Sequence, residues 1–430
     1  MKIAIIGGGI SGLVAAYRLH AQHEITLFEA NDYPGGHTNT VEVSLDGENL
    51  AIDTGFIVFN DWTYPRFIQL MKELKVASQP TTMSFSVSDP QTGLEYNGHS
   101  LNSLFAQRRN LLRPAFYRML LDILRFNREA CRLMAEVDDG MTVGEFLRQH
   151  GYSEIFTDKY LLPMGAAIWS CPIGKFLQFP IRFIIEFYRN HGLLSVLHRP
   201  TWRVIEGGSQ TYVRAMTRGF RNRIRLNSPV QSVRRHPDRV EIQTHGAAES
   251  FDRVIFACHS DQALAILGHG ATVAEREILG EFPYEKNTAV LHTDTSLLPH
   301  SRRAWASWNY RLSGDDQAPA SVTYNMNILQ NLRSKHTFCL TLNHEASISP
   351  ERILRRFTYS HPVFTTRRAL AQSRHAELLG RNRSSFCGAY WGNGFHEEGV
   401  KSALAVVEAI DDPAMVADSV ERALASGVRT

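Results

Sequence analysis

The chain has 430 residues, 43% of them hydrophobic and 21% charged, with a formal net charge of +3. That length exceeds the roughly 100–150 residues of a common domain and can hold two sizeable cores, while the near-neutral balance gives nucleic-acid binding no support. The five cysteines, Cys131, Cys171, Cys258, Cys339 and Cys387, form no CxxC pair, which argues against a disulfide framework or zinc site and for a reducing cytoplasm; with no run near the roughly 20 apolar residues that span a bilayer, the expected state is soluble or held at the inner face of a membrane.

Lys2 to Ile6 read as a short buried strand, followed by Gly7-Gly8-Gly9-Ile10-Ser11-Gly12 and then by Leu13 to Leu19 at helical spacing. In such a strand–glycine–helix unit Gly7 permits a tight turn, Gly9 lets a pyrophosphate approach the backbone, and Gly12 lets helix and strand pack closely. Ser11 falls in the first helical turn, where free N–H groups and the positive end of the helix dipole attract phosphate. A second strand, Glu24 to Phe28, ends at Glu29, 17 positions after Gly12, where a carboxylate accepts the hydroxyls of an unphosphorylated ribose. The unit predicts a dinucleotide-binding α/β domain.

Glu29-Ala30-Asn31-Asp32-Tyr33-Pro34-Gly35-Gly36-His37 then adds a second glycine pair. On these residues the chain resembles the flavin-containing amine oxidase and phytoene desaturase superfamily, in which an acidic strand end runs into a Gly-Gly-Arg turn beside the FAD diphosphate. The resemblance implies FAD as cofactor, with Ala30, Gly35, Gly36 and His37 among its contacts; His37 stands where arginine is usual. Ile52-Asp53-Thr54-Gly55-Phe56 matches the superfamily's Asp-x-Gly element, a strand end that passes near the flavin ring, so Asp53 and Gly55 join the candidate contacts.

From Gln107 to Glu136 one or two amphipathic helices are expected, with Leu111, Leu112, Phe116, Met119, Leu120, Ile123 and Leu124 set against Arg108, Arg109, Arg113, Arg118, Arg125 and Arg128. Arginine on one side and apolar groups on the other suit an anionic membrane surface; packing of the apolar stripe on the protein itself is the competing reading. Phe176 to Tyr188 is richer in Phe and Ile than a solvent-facing helix, and lines either an apolar substrate tunnel or ordinary core.

Trp202 to Ser209 resembles the segment that returns such chains to the FAD domain, Pro229 to Val233 and Phe251 to Ala257 read as β-rich pieces of it, and Val230 is the implied backbone contact to adenine. Ala289 to Asp294, Ala304 to Tyr310 and Gly394 to Glu397 are similar to a narrower subgroup, the proteobacterial predicted NAD/FAD-binding oxidoreductases. Ser385 to Tyr390, with Gly388, reads as a strand entering a turn, and Asn393 to Val400 opens a last helix. The resemblance aims that helix's N-terminus at the flavin N1–C2 region, where negative charge gathers on reduction, with Gly399 and Val400 as contacts; Glu397 and Glu398 read as first-turn capping residues.

The implied architecture is α/β: a Rossmann-like FAD-binding domain of residues 1–75, 200–265 and 380–430, interleaved with an α+β substrate domain of residues 76–199 and 266–379, and with a dispensable last dozen residues. One complete dinucleotide fingerprint argues against a separate NADPH domain, so flavin electrons go to oxygen, to a quinone or carrier, or back to the substrate. The favoured reading is an FAD-dependent oxidoreductase that dehydrogenates, or shifts double bonds in, a small hydrophobic substrate with a fatty acyl or isoprenoid chain, a reaction resting on position near flavin N5 more than on acid–base machinery. His361 and His396 are the candidate proton handlers, and Phe395 falls at the aromatic-cage position of superfamily amine oxidases. Two readings stay open beside it: amine oxidation by oxygen, for which a second cage wall and the lysine near flavin N5 have no assigned position, and non-catalytic lipid binding or escort. No metal is expected, because His20-Ala21-Gln22-His23 supplies no third ligand, and no GxSxG elbow supports Ser–His–Asp chemistry.

Overall fold

A computed structural model of the chain describes residues 1–134, 140–195, 198–246, 248–363, 365 and 367–411. Residues 135 and 136 of the arginine-rich stretch lie outside the described residues, as do residues 412–430 of the expected FAD domain, which contain the dozen read as dispensable.

Ile3, Ala4, Ile5 and Ile6 are buried on both faces of the strand Lys2–Ile6, the continuous apolar run of a strand covered on both sides. It is the middle of a five-stranded parallel sheet ordered Ile224–Arg225, Glu24–Phe28, Lys2–Ile6, Arg253–Phe256, Ser384–Phe386. Ranked along the chain that order is 3-2-1-4-5, so strand addition reverses direction between Lys2–Ile6 and Arg253–Phe256, and a ligand crevice belongs at the carboxyl ends of those two strands. On one face lie the first helix, Ile10–Leu19, and the last, His396–Asp411, sharing a core of Leu13, Val14, Ala403 and Val406. On the other lie the helices Ser260–Leu267 and Val273–Leu279 and a three-stranded antiparallel sheet over 232–251.

A second, seven-stranded sheet runs Ile353–Pro362, Tyr284–His292, Cys339–Leu342, Val322–Asn325, Trp308–Arg311, Phe85–Asp89, Leu94–Asn97, antiparallel except for the pair Trp308–Arg311 and Phe85–Asp89. It shares a phenylalanine-rich core with the helices Pro114–Leu133, Val143–His150, Leu162–Trp169 and Ile181–Asn190. Its strands fall within residues 76–199 and 266–379, whereas those of the parallel sheet fall within 1–75, 200–265 and 380–430. The strand Trp202–Ile205 pairs with both Phe59–Asn60 and Ser78–Pro80, tying the outgoing and returning chain together.

Of the stretch Phe176 to Tyr188, the side chains of Phe176, Phe179, Ile184, Ile185 and Phe187 are buried in that core. The helix Pro114–Leu133 buries Phe116, Met119, Phe126 and Ala130 against it. Among the described residues no helix is long and apolar enough to cross a membrane.

Candidate cofactor and active site

The turn after the first strand shows what each glycine is for. Gly7 has φ +109°, and a Cβ there would meet Ala257 O at 2.7 Å, because Ala257 N donates to Ile6 O at 2.8 Å and closes the fourth strand on the first. At Gly12 a Cβ would lie 1.9 Å from Gly7 O. Gly9 is different. Its φ of −71° and ψ of −179° suit any residue, and a Cβ there would meet no atom of the described residues within 4 Å. Neither strain nor protein packing asks for glycine at that position; a ligand lying on the backbone does. Among the described residues no side chain caps the first helix, so its first N–H groups face the same open surface. Gly35 N donates to Gly8 O at 2.8 Å, and a Cβ on Gly36 would lie 3.1 Å from Gly9 Cα, so the second glycine pair lines this crevice.

Glu29 is buried, with Oε2 accepting from Gly8 N at 2.7 Å and Oε1 accepting from Asn31 N and Asn31 Nδ2, both at 2.8 Å. A carboxylate offers about four acceptor directions, which leaves room for a hydroxyl. Ala30 is exposed. Ser228 N donates to Glu29 O at 2.8 Å and Asn227 N to Asn31 O at 2.9 Å; these bonds bring the half-buried Val230 to the same end of the crevice.

At the other end three imidazoles meet. The His37 ring lies 4.9 Å from Tyr359, 5.4 Å from His361 and 6.2 Å from His259, centroid to centroid. His37 follows the second glycine pair, His259 lies just beyond the strand Arg253–Phe256, and His361 ends the outer strand of the seven-stranded sheet, so the cluster spans both sheets. Burial pushes His37 and His259 down to about 4 and His361 to about 3, with the neighbouring imidazoles adding to each shift; all three are neutral near pH 7. His37 Nε2 is buried and has no hydrogen-bond partner among the described residues. Asn287 Nδ2 donates to His361 Nδ1 at 2.9 Å, and Asn287 Oδ1 accepts from Asn343 Nδ2 at 2.6 Å, an arrangement that leaves the His361 proton on Nε2. The strand Tyr284–His292 turns Asn287 inward and Lys286 out to solvent.

The remaining candidate residues serve the framework around this crevice. The fully buried Asp53 carboxylate accepts from Thr40 Oγ1 at 2.6 Å, Ser209 Oγ at 2.7 Å, Ser209 N at 2.8 Å and Gln330 Nε2 at 3.1 Å; burial pushes it up to about 6 against those bonds. Its charge is thereby directed at the returning segment Gly207-Gly208-Ser209. Gly55 lies against His37, where a Cβ would meet His37 O at 2.2 Å. Gly388 N donates to Ser402 Oγ at 2.9 Å, and Arg368 and Gln372 both donate to Tyr390 O and Gly392 O, which holds the turn before the last helix. A Cβ on Gly399 would lie 2.7 Å from Ile10 Cγ2 and 3.0 Å from Ser11 Oγ, so the last helix starts against the first; the Val400 side chain is buried in their common core.

Phe395, half-buried, stacks on Phe187 at 5.4 Å and lies 6.1 Å from His191. His396 is buried, stacked 3.6 Å from Phe56, with Nε2 2.9 Å from Thr38 Oγ1 and 3.1 Å from Tyr212 OH, and burial holds it well below the usual histidine range. The structure thus brings His361 to the half-exposed cluster and sets His396 in a packed, hydrogen-bonded group. Glu397 differs from the expected cap of its own helix: its carboxylate accepts from Arg66 N at 3.1 Å and Phe67 N at 2.9 Å and caps the neighbouring helix Pro65–Glu73. Burial pushes Glu398 up to about 7.

His259, Tyr359 and Asn287 carry this site and escape a reading of motifs. His259 had a signal, its place three residues past the strand that flanks the reversal of strand order; Tyr359 and Asn287 had none, since their partners come from distant strands.

Comparison with known proteins matches residues 10–292 to the flavin containing amine oxidoreductase family. A stretch of 62 residues is 40% identical to a 4,4'-diapophytoene desaturase (4,4'-diaponeurosporene-forming) of Staphylococcus aureus strain MRSA252, spanning 14% of this chain and only 12% of the desaturase. Cyclohexylamine oxidase from Brevibacterium oxydans IH-35A superposes with a TM-score of 0.67 over 96% of this chain and 99% of its own, at 14% identity. A CLA-producing fatty acid isomerase from P. acnes does so with a TM-score of 0.66 over 94% of this chain and 97% of its own, at 15% identity. At these identities the two superpositions speak to the fold.

Proposed function

We propose, since this chain belongs to the flavin containing amine oxidoreductase family, that it is an FAD-dependent oxidoreductase acting on a fatty acyl or isoprenoid chain. The residues fit FAD: the surface over Gly9 takes a group against the backbone, the uncapped N–H groups of the first helix await acceptors, the buried His37 Nε2 has no partner among the described residues, and Glu29 has a free acceptor direction for ribose. Val230 would lie by the adenine, and Gly388, Gly399 and Val400 would lie towards the ring. When bound, FAD supplies a two-electron acceptor for hydride.

One observation carries the choice of substrate. The groups that meet at His37 and His361 are imidazoles, a phenol and amides without formal charge at neutral pH, and Phe395 joins the last helix to Phe187 and the phenylalanine-rich core. An apolar chain is at home along the phenylalanines, and the uncharged imidazoles offer an ammonium group no ion pair. Two of the likenesses, the desaturase and the fatty acid isomerase, bear names of that chemistry. His361 presents Nε2–H as a donor, and takes up a proton at Nδ1 only by releasing Asn287. Dehydrogenation removes a hydride and a proton and leaves a new double bond, with oxygen or a quinone as final oxidant; isomerisation returns the hydride to another carbon and needs no oxidant.

The test is anaerobic mixing with unsaturated fatty acids, isoprenoids and amines. Bleaching of the flavin, or a displaced double bond in the recovered lipid, is the expected result with the first two. Bleaching by cyclohexylamine or polyamines alone transfers the assignment to amine oxidation, the reading favoured by the cyclohexylamine oxidase likeness. Flavin that stays oxidised over unaltered lipid that nevertheless binds assigns an escort role.

A further inference from the structure

The helix Pro114–Leu133 is apolar on two opposite faces. At about 100° per residue, Phe116, Met119, Phe126 and Ala130 point into the core, whereas Tyr117, Leu121 and Leu124 point the other way and are exposed. The turn Arg108–Leu112 adds Leu111 and Leu112, the latter 88% exposed. With Pro114 and Arg118, four of these side chains line an open depression of about 540 Å³. Of the ten large apolar side chains exposed among the described residues, five thus fall between positions 111 and 124; single exposed leucines are ordinary, but a concentration of this kind marks a contact surface.

Its charge selects the contact. Arg108, Arg109, Arg113, Arg118, Arg125 and Arg128 belong to the same segment, and among the described residues two of its carboxylates pair with them: the buried Asp122, 3.3 Å from Arg118, and Glu129, 2.8 Å from Arg125. Arg108 and Arg109 bond to neutral carbonyls, Phe105 O at 2.8 Å and Gly93 O at 2.5 Å. We propose that this face docks on an anionic phospholipid bilayer, with Leu111, Leu112, Tyr117, Leu121 and Leu124 at the headgroup–acyl boundary and the arginines on lipid phosphates. A second copy of this chain would bring the same arginines to the contact; the surplus of arginine over carboxylate among the described residues of this face asks for a negative surface. The proposal deepens the reading of an apolar substrate, which would reside in the same bilayer, and rests on it for purpose alone, because binding is measured without turnover.

The flavin-loaded full chain is sedimented with vesicles of phosphatidylcholine, with and without phosphatidylglycerol. The expected result is binding at least about tenfold tighter to the phosphatidylglycerol vesicles, weakening as salt is raised. Leu112→Glu with Leu121→Glu is expected to cut that binding at least about tenfold while the flavin content and melting temperature stay unchanged, both side chains being exposed. Arg113→Glu with Arg128→Glu is expected to abolish the preference between the two vesicles. Wild-type protein that stays in the supernatant with both, or pellets equally with both whichever variant is used, overturns the proposal. So does a dimer without vesicle binding that the paired leucine substitutions dissociate, since the face then belongs to a second copy of this chain.

Discussion

Gly9 and Gly12 sit three residues apart in one turn and answer to different neighbours, which makes their substitutions informative together. Gly9→Val places its side chain where the described residues leave space and in a backbone conformation open to valine. It is expected to fold with the melting temperature of the cofactor-free parent and to lose its flavin on gel filtration; a variant that keeps stoichiometric flavin contradicts the cradle. Gly12→Val drives a Cβ into Gly7 O and is expected to give insoluble protein, read from the soluble fraction after expression. Both glycines are legible in the sequence, because their spacing carries the physics. His37 is legible as a departure from Gly-Gly-Arg, but its partners are not: His259 and His361 lie 222 and 324 positions away, and no local pattern links residues at such distances.

At the scale of elements, the last helix is placed by the helix it caps. Glu397 holds the first N–H groups of Pro65–Glu73 from a position 1% exposed. Glu397→Ala leaves the buried Phe67 N–H and the half-buried Arg66 N–H without their acceptor and is expected to cost about 2 kcal/mol in urea unfolding, with Glu397→Gln recovering part of it through its remaining acceptor; an unchanged midpoint for the alanine variant would falsify the cap. A first-turn glutamate is readable as a capping residue, but which helix end lies before it is a tertiary fact. The helix Pro114–Leu133 shows the same limit from the other side. Its amphipathic pattern was readable, but the single apolar stripe expected there is divided in the structure: Phe116 and Met119 are core, whereas Leu111, Leu112 and Leu124 are exposed.

Across the whole molecule, neutral histidines set the response to acid. His37, His191, His259, His292 and His375 are pushed down to about 4 and His361 to about 3, all by burial first. An unfolded histidine titrates near 6.5, so below that pH the unfolded chain binds more protons than the folded one; the stability these residues contribute is whole above about 6.5 and is lost as pH falls towards 4. Asp53 and Glu398, raised to about 6 and about 7, and Asp158, raised by burial, act in the opposite sense, since acidification relieves the strain of keeping them ionised, but these three carboxylates face eight imidazoles, because burial lowers His344 and His396 as well. The melting temperature of the cofactor-free protein is expected to fall by several degrees between pH 7 and pH 5, with proton uptake on unfolding; a flat profile rules this balance out. The doubly wound half of the fold was legible because its signature is local, strand and turn and helix in sequence, whereas the seven-stranded sheet joins strands from Phe85 to Pro362 whose order no periodicity states. Strand order also governs timing during synthesis. Lys2–Ile6 cannot be flanked on both sides until Arg253–Phe256 has been translated, and the start of the first helix at Ile10 and Ser11 is not covered until Gly399 has left the ribosome. A nascent chain therefore emerges with its phosphate loop made first and useless for most of elongation, and cofactor capture must be one of the last events in its maturation.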